Sequence, residues 1–358
     1  MNNNNLIITS GPSQLMIQIA AISELNYKLT DFHVLYIGVE KHRLEAILKL
    51  MCRAFKMNFI GSIDNLDNPS PVFHKPKFSL SFVKHLFYAP YRKSKEIGEI
   101  YPVLKNYRSS VVSIPYRHKM KGDVMILHHL KPNKTIITAD GVVNTPTKRY
   151  FGYWEWFFIK TDLNKIPTKT KIYTPKYLKE ETLKLGPVVV LDVNNMNSIR
   201  NKIRNLFISN GNISSIDLRN YKAIIFSQHL ALSKVCTEDE EVNFYLKIVD
   251  YFNSQNLTPI YFKPHPRDSG VKLNSLIEKF NRTGSRVDCS KLDIVAMPIE
   301  LFQSNDSTQL ATANSSAPLG IGSDSNLICF YMESFRKDFK EDIINFASNN
   351  KAKLINLK

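Results

Sequence analysis

Short apolar runs alternate along this chain with longer segments in which apolar residues return every three or four positions. Residues 6–9 form a β-rich run ending in Ser10-Gly11-Pro12-Ser13, and residues 14–25 then carry Leu15, Ile19 and Ile22 at helical spacing. Residues 33–37 predict a strand, and residues 43–55 a helix with Leu44, Ile47, Leu48 and Met51 on one face. This order predicts a parallel α/β sheet. Beyond a Pro-rich connection at 69–76, residues 81–88 read as a helix and 111–114, 123–127 and 134–138 as strands. The aromatic stretch 150–163 follows neither period.

Residues 167–187, rich in Lys, Thr and Pro, read as a crossover between domains. A second alternation begins after them: strands at 188–193 and 223–227, a helix at 239–253, a strand at 258–263 and a helix at 273–280. Runs at 298–302, 309–313 and 327–331 complete the pattern, with a charged helix at 336–345. The fold class predicted is therefore α/β, with two Rossmann-like domains facing across a cleft. Their expected limits are 1–185 and 186–335, with a C-terminal segment 336–358 packing back on the first domain. Ligands of open α/β sheets sit beyond the carboxyl ends of the strands, so candidate chemistry is sought there.

Composition narrows the function. Of the 358 residues 43% are hydrophobic and 22% charged, enough to bury two cores. No apolar run approaches the ~20 residues of a membrane span. The opening Met1-Asn2-Asn3-Asn4-Asn5 has no basic n-region, so the expected location is cytoplasmic, or peripheral at a membrane's inner face. Cys52, Cys236, Cys289 and Cys329 form no C-x-x-C pair, which argues against zinc or a disulfide framework. The formal charge of +16 points to an anionic partner: nucleic acid, acidic polysaccharide or lipid head groups.

Two absences shape the chemistry. Neither G-x-G-x-x-G nor G-x-x-x-x-G-K-[ST] occurs, which disfavours dinucleotide and triphosphate binding. No D-x-D pair offers itself to a metal-bound pyrophosphate. A nucleoside monophosphate leaving group carries less charge, and hydrogen-bond donors alone can stabilise it.

The candidates lie after predicted strands. In Phe262-Lys263-Pro264-His265-Pro266-Arg267-Asp268 two prolines stiffen the loop around His265. That histidine could donate to a phosphate oxygen and act as general acid, or the segment simply ends a strand. Ser315-Ser316 stand where paired hydroxyls and backbone N–H groups can cradle a phosphate, although capping is the commoner use of Ser. Glu300 could accept from ribose hydroxyls or be an ordinary solvated carboxylate. Asp140, in Thr138-Ala139-Asp140-Gly141, is a candidate general base, or part of an Asp-Gly turn. Ser10, Gly11 and Gln14 follow the first strand and could touch the donor sugar, or form a plain strand-to-helix loop. His128 and His129 would point apart on a strand and make no metal pair. Basic clusters, interleaved with tyrosines, gather Lys84, Arg92, Lys93, Lys95, Arg117, Lys119, Lys121 and Arg149, with a further cluster at 200–204. They form a candidate polyanion track.

The joint order Asp140-Gly141, His265-Pro266, Glu300, Ser315-Ser316 resembles the bacterial sialyltransferases of GT-B architecture, and most of all the capsule polysialyltransferases. The resemblance implies a metal-independent, inverting transfer from CMP-sialic acid with no cofactor, elongating α-2,8-linked polysialic acid. It implies Asp140 as base and His265 as acid or donor to the CMP phosphate. Ser315 and Ser316 would hold that phosphate, and Glu300, Gln228 and Pro266 the ribose and base. The acceptor would be an acidic oligo- or polysaccharide. One departure stands out: the family's motif usually has two acids before the glycine, and here the first position is Ala139. Other readings remain: a single-transfer sialyltransferase, a Kdo or polyol-phosphate transferase using a CMP or CDP donor, and a non-enzymatic nucleic-acid-binding protein, which no recognisable motif supports.

Overall fold

The computed structural model describes residues 5–38, 41–64, 102–107, 110–116, 130–139, 172–176, 188–209, 217–265, 268, 270–289, 297–315, 317–321 and 326–357. The chain divides into two compact units, 1–203 and 204–358, each built on a parallel sheet.

The first unit holds β1 (Asn5–Thr9), α1 (Pro12–Glu24), β2 (Phe32–Gly38), α2 (Lys41–Ala54), β3 (Asn58–Asp64), β4 (Val111–Tyr116), β5 (Lys134–Ala139), β6 (Ile172–Thr174) and β7 (Val188–Val190). The sheet order is β3-β2-β1-β4-β5-β6-β7. The winding reverses between β1 and β4, where Leu6 pairs Val112 and Ile7 pairs Ser113. Parallel strands covered on both faces become continuous apolar runs; Leu6, Ile7 and Ile8 are fully buried. Helix α1 opens with Pro12, which gives up an N–H the first turn does not need. Residues 15–22 of α1 are buried on every side, Gln18 among them. The Gln18 amide donates to Ile8 O at 2.8 Å and to Ser113 Oγ at 3.3 Å, tying together the two strands of the reversal.

Helix α3 (Val193–Ser209) runs from the first unit into the second. The second unit then holds β8 (Ala223–Phe226), α4 (Glu238–Ser254), β9 (Ile260–Lys263), α5 (Gly270–Arg282), β10 (Val287–Cys289), β11 (Gln309–Thr312), β12 (Leu327–Tyr331), α6 (Lys337–Asn349) and β13 (Lys353–Asn356). The order β10-β9-β8-β11-β12-β13 reverses between β8 and β11. Helix α4 is started by a capping box: Thr237 Oγ1 accepts from Glu240 N at 3.2 Å, and Glu240 Oε2 accepts from Thr237 N at 2.8 Å. Four acidic residues in its first turn suit the helix dipole. Its apolar face, with Phe244, Tyr245, Ile248, Val249 and Phe252, is buried.

The fold class expected from sequence is the one observed, two parallel-sheet α/β domains. Several details differ. The run expected to open the second domain at 188–193 is β7, whose Val188–Val190 pair with Ile172–Thr174 at the edge of the first sheet. Val193 begins a helix instead. Residues 298–302 are no strand but a 3-10 turn, Ile299–Leu301, because Leu301 N and Phe302 N bond back to Pro298 O and Ile299 O at 3.1 and 2.9 Å. The C-terminal helix packs on β12 and β13 of the second unit's own sheet, and the strand after it, unexpected from sequence, pairs with β12. The expected elements at 81–88 and 123–127 lie outside the described residues.

Candidate functional site

At the carboxyl edge of the second sheet, the ends of β8, β9 and β11 bring three candidate residues toward the strand reversal. Gln228 follows β8. Its backbone N–H donates to Tyr245 Oη at 2.7 Å, and that hydroxyl donates to Gln228 O at 3.0 Å. Burial, with Glu241 and Asp268 close by, pushes the Tyr245 phenol well above its ordinary pKa. It therefore stays neutral and can serve as donor and acceptor at once. The Gln228 side chain spans the reversal: Nε2 donates to Asn314 Oδ1 at 2.6 Å, and Oε1 accepts from Asn314 N at 2.9 Å and from Thr312 Oγ1 at 3.4 Å.

His265 follows β9, and a carboxylate fixes its loop. Asp268 Oδ2 accepts the His265 backbone N–H at 2.9 Å and the Ser227 hydroxyl at 2.8 Å. Asp268 Oδ1 takes the Lys272 ammonium at 2.7 Å. The same ammonium reaches Glu241 Oε1 at 2.6 Å. Glu241 in turn accepts from Leu230 N at 3.1 Å and Ala231 N at 3.0 Å, in the loop after Gln228. Both carboxylate side chains are 2% exposed. Buried carboxylates persist only when paired and hydrogen-bonded, and these two hold the loops after β8 and β9 in register. The His265 ring lies against His229, with centroids 4.2 Å apart at 51°. Two imidazoles at one sheet edge offer N–H donors to an anion.

Lys263, the last residue of β9, is buried at 6% exposure. Desolvation lowers its pKa to about 7, against the opposing influence of Cys289, Asp268 and Glu300. Glu300 lies in the 3-10 turn before β11 and is 7% exposed, so it is not the solvated carboxylate that a lone Glu would be. Ser315 follows β11. Its Oγ accepts from Ala317 N at 3.2 Å, the capping alternative raised from sequence, while its own N–H donates to Thr312 Oγ1 at 3.0 Å. A hydroxyl that accepts in a cap keeps its proton to donate.

In the first unit, Ser10, Gly11 and Gln14 follow β1 at the other strand reversal. Gln14 Oε1 accepts from Ser10 N at 3.0 Å and from the Ser10 hydroxyl. Thr9 Oγ1 donates to Gly11 O at 3.0 Å. The Gln14 oxygen is thus used inside the loop, and open space lies beside Gly11. Ala139, where the resembling family has an acid, is fully buried at the end of β5.

Asp140, Pro266 and Ser316 lie outside the described residues, as do Lys84, Arg92, Lys93, Lys95, Arg117, Lys119, Lys121, Arg149, His128 and His129. Of the cluster at 200–204, Arg200 Nη1 donates to Asn197 Oδ1 at 3.3 Å on α3. Reading the sequence missed His229, Ser227, Asp268, Lys272, Glu241, Tyr245, Lys263 and Asn314. Only the Asp268 and Lys272 pair left a local signal, a carboxylate four residues before a lysine at the start of a helical pattern. The others meet through tertiary packing alone. Among the described residues no cluster of His, Cys, Asp or Glu is arranged to hold a metal ion, and no helix is long and apolar enough to cross a membrane.

A family model described as alpha-2,8-polysialyltransferase matches residues 134–310, from β5 into β11. The match takes in Asp140, Gln228, His265 and Glu300 and ends before Ser315. Among solved structures, a sialyltransferase from Photobacterium damsela aligns with a TM-score of 0.50 at 11% identity, over 99% of this chain and 81% of that one. Arabidopsis thaliana UGT89C1, complexed with UDP-L-rhamnose, aligns with a TM-score of 0.49 at 8% identity, over 99% and 85%. No curated protein matches the chain significantly. On a GT-B-type pair of parallel α/β sheets, residues 134–310 thus match the alpha-2,8-polysialyltransferase family model, and the fold is one shared with the Photobacterium sialyltransferase.

Proposed function

We propose that this chain is a sialyltransferase that takes sialic acid from CMP-sialic acid and adds it to the end of an acidic glycan, elongating the α-2,8-linked polysialic acid of a bacterial capsule by an inverting, metal-independent reaction. The observation that carries the donor half is the meeting of Gln228, His265 and Ser315 around one strand reversal, the place where open α/β sheets take nucleotides.

In this reading the acceptor hydroxyl gives its proton to Asp140 and attacks the anomeric carbon as the bond to the CMP phosphate breaks. Attack opposite the leaving group inverts the configuration. The sugar passes through a cation-like state while negative charge grows on the phosphate. Donors at His265, Ser315 and Ser316 stabilise that charge, and Glu300, Gln228 and Pro266 hold the nucleoside. Ser10, Gly11 and Gln14 face the donor sugar. Such a scheme needs no metal and no cofactor.

The acceptor half rests on charge. Unit 1–203 has 30 Lys and Arg against 15 Asp and Glu, whereas unit 204–358 has 18 against 17. Nearly all of the +16 therefore belongs to the first unit. A polyanionic acceptor on Lys84, Arg92, Lys93, Lys95, Arg117, Lys119, Lys121 and Arg149 gives that imbalance a purpose. The same charge would favour a peripheral position at the cytoplasmic face of an anionic membrane.

The test is turnover of CMP-sialic acid with EDTA present, with and without a short sialic acid oligomer. CMP release that rises with the oligomer, together with lengthening products, is the expected result. Failure to bind CMP or CMP-sialic acid would overturn it and move attention to CMP-Kdo, CDP-polyols and nucleic acid.

A further inference from the structure

Gly320 closes the short 3-10 turn Ala317–Gly320 that begins just after Ser315-Ser316. It is buried, and its backbone is not in the left-handed region that only glycine enters readily. The chain therefore makes no backbone demand for glycine at this position. What it demands is room. A Cβ built on Gly320 would stand 2.7 Å from Glu300 Cγ, 3.4 Å from Cδ and 3.5 Å from Oε1. Gly11 and Gly270, by contrast, have nothing within 4 Å of such an atom. A 2.7 Å carbon–carbon approach cannot persist, so the Glu300 side chain lies where it does because residue 320 has no side chain. Glu300 is itself buried on a one-turn 3-10 segment.

We infer that Gly320 is the seat of the Glu300 carboxylate and thereby a positioning residue for recognition of the donor's ribose hydroxyls. This rests on the assignment of Glu300 to the ribose in the proposed function. The turn carrying Gly320 starts at the serines proposed to hold the phosphate. The group that reads the sugar of the nucleotide and the group that holds its phosphate are thus built on one short piece of chain. A donor lacking the ribose hydroxyls would make no use of Glu300, and a protein with a filled position 320 would hold the carboxylate off its mark.

The experiment compares binding of CMP and of 2′,3′-dideoxy-CMP by calorimetry to four proteins: wild type, Gly320→Ala, Glu300→Ala and the double variant. Gly320→Ala should weaken CMP by about tenfold or more, the worth of hydrogen bonds to a charged group. It should leave the dideoxy analogue unchanged. In the Glu300→Ala background it should add nothing, because its action runs through the carboxylate. Melting temperature should fall in Gly320→Ala and recover in the double variant, where the clash is gone; this keeps the cycle readable if the single variant is poorly folded. Wild-type CMP affinity in Gly320→Ala, with loss in Glu300→Ala, would overturn the inference and leave the ribose assignment standing. Equal losses for both ligands in Gly320→Ala would also overturn it, as general damage. No change in either single variant would remove the ribose assignment and the inference together.

Discussion

The carboxylate of Asp268 accepts the backbone N–H of His265 at 2.9 Å, three residues back along the chain. Through the Ser227 hydroxyl and the Lys272 ammonium it also holds the ends of two strands together. The histidine is thus aimed by a residue that has no place in the reaction. Asp268→Ala should lower kcat by about tenfold or more and destabilise the second unit by about 1–3 kcal/mol, the range for losing a buried hydrogen-bond partner. Asp268→Asn retains an acceptor for the His265 N–H and should recover part of the rate. Steady-state kinetics with urea melts of both variants decide the matter; wild-type kcat in the Ala variant would show that the loop is held by other means.

His265 and Asp140 are expected to fail differently. His265→Ala should cut transfer by about 100- to 10,000-fold, the usual contribution of a general acid or base, with the fold intact because a half-buried loop side chain packs little. Asp140→Asn should reduce turnover with little loss of CMP affinity, since the proposed base would meet the acceptor and not the nucleotide. Single-turnover rates and CMP titrations separate the two. Unchanged activity in either variant would reassign that residue.

The charge of the first unit should matter in proportion to acceptor length. Reversing Arg92 and Lys93, or Arg117 and Lys119, should raise KM for long sialic acid oligomers more than for short ones. Equal effects on both would remove the track.

Lys263 makes stability depend on pH. Its folded pKa of about 7 lies below the ordinary lysine value of 10.5. Between those two values the unfolded chain binds a proton that the folded chain does not, so this group makes the wild type more stable as pH rises. Below about 7 both states carry the charge and its burial penalty is fully felt. Lys263→Met should therefore raise the melting temperature more at pH 6 than at pH 9. A difference that is constant with pH would mean that the buried amine keeps its charge throughout.

The parts of this architecture legible in the sequence were those with local causes. Apolar runs such as Ala223–Phe226 marked central strands because both their faces are covered. The apolar spacing of 239–253 marked α4, though not its capping box at Thr237 and Glu240. Strands at or near the sheet margins were less legible: β3 is interrupted by Gly61, β6 and β10 span three residues each, and β7 was expected as a strand but of the second domain. A strand assigned at 298–302 proved to be a turn because apolar residues around a proline suit either geometry. His265, Gln228, Glu300 and Ser315 stood out for their residue types after predicted strands. The residues that hold them did not. Glu241 lies 27 positions from Asp268 in sequence and is joined to it through Lys272, a contact that no local pattern announces.

The uneven division of charge between the two units has a consequence for any assay. Exposed charges farther apart than about 8 Å no longer feel one another at physiological ionic strength. The summed field of the first unit, at a formal +15, is open to that screening, whereas the near-neutral second unit has little field to lose. Added salt is then a dial that turns on one substrate only. The acceptor's KM should climb steeply with sodium chloride while CMP affinity, if set by short hydrogen bonds at the sheet edge as proposed, stays nearly level.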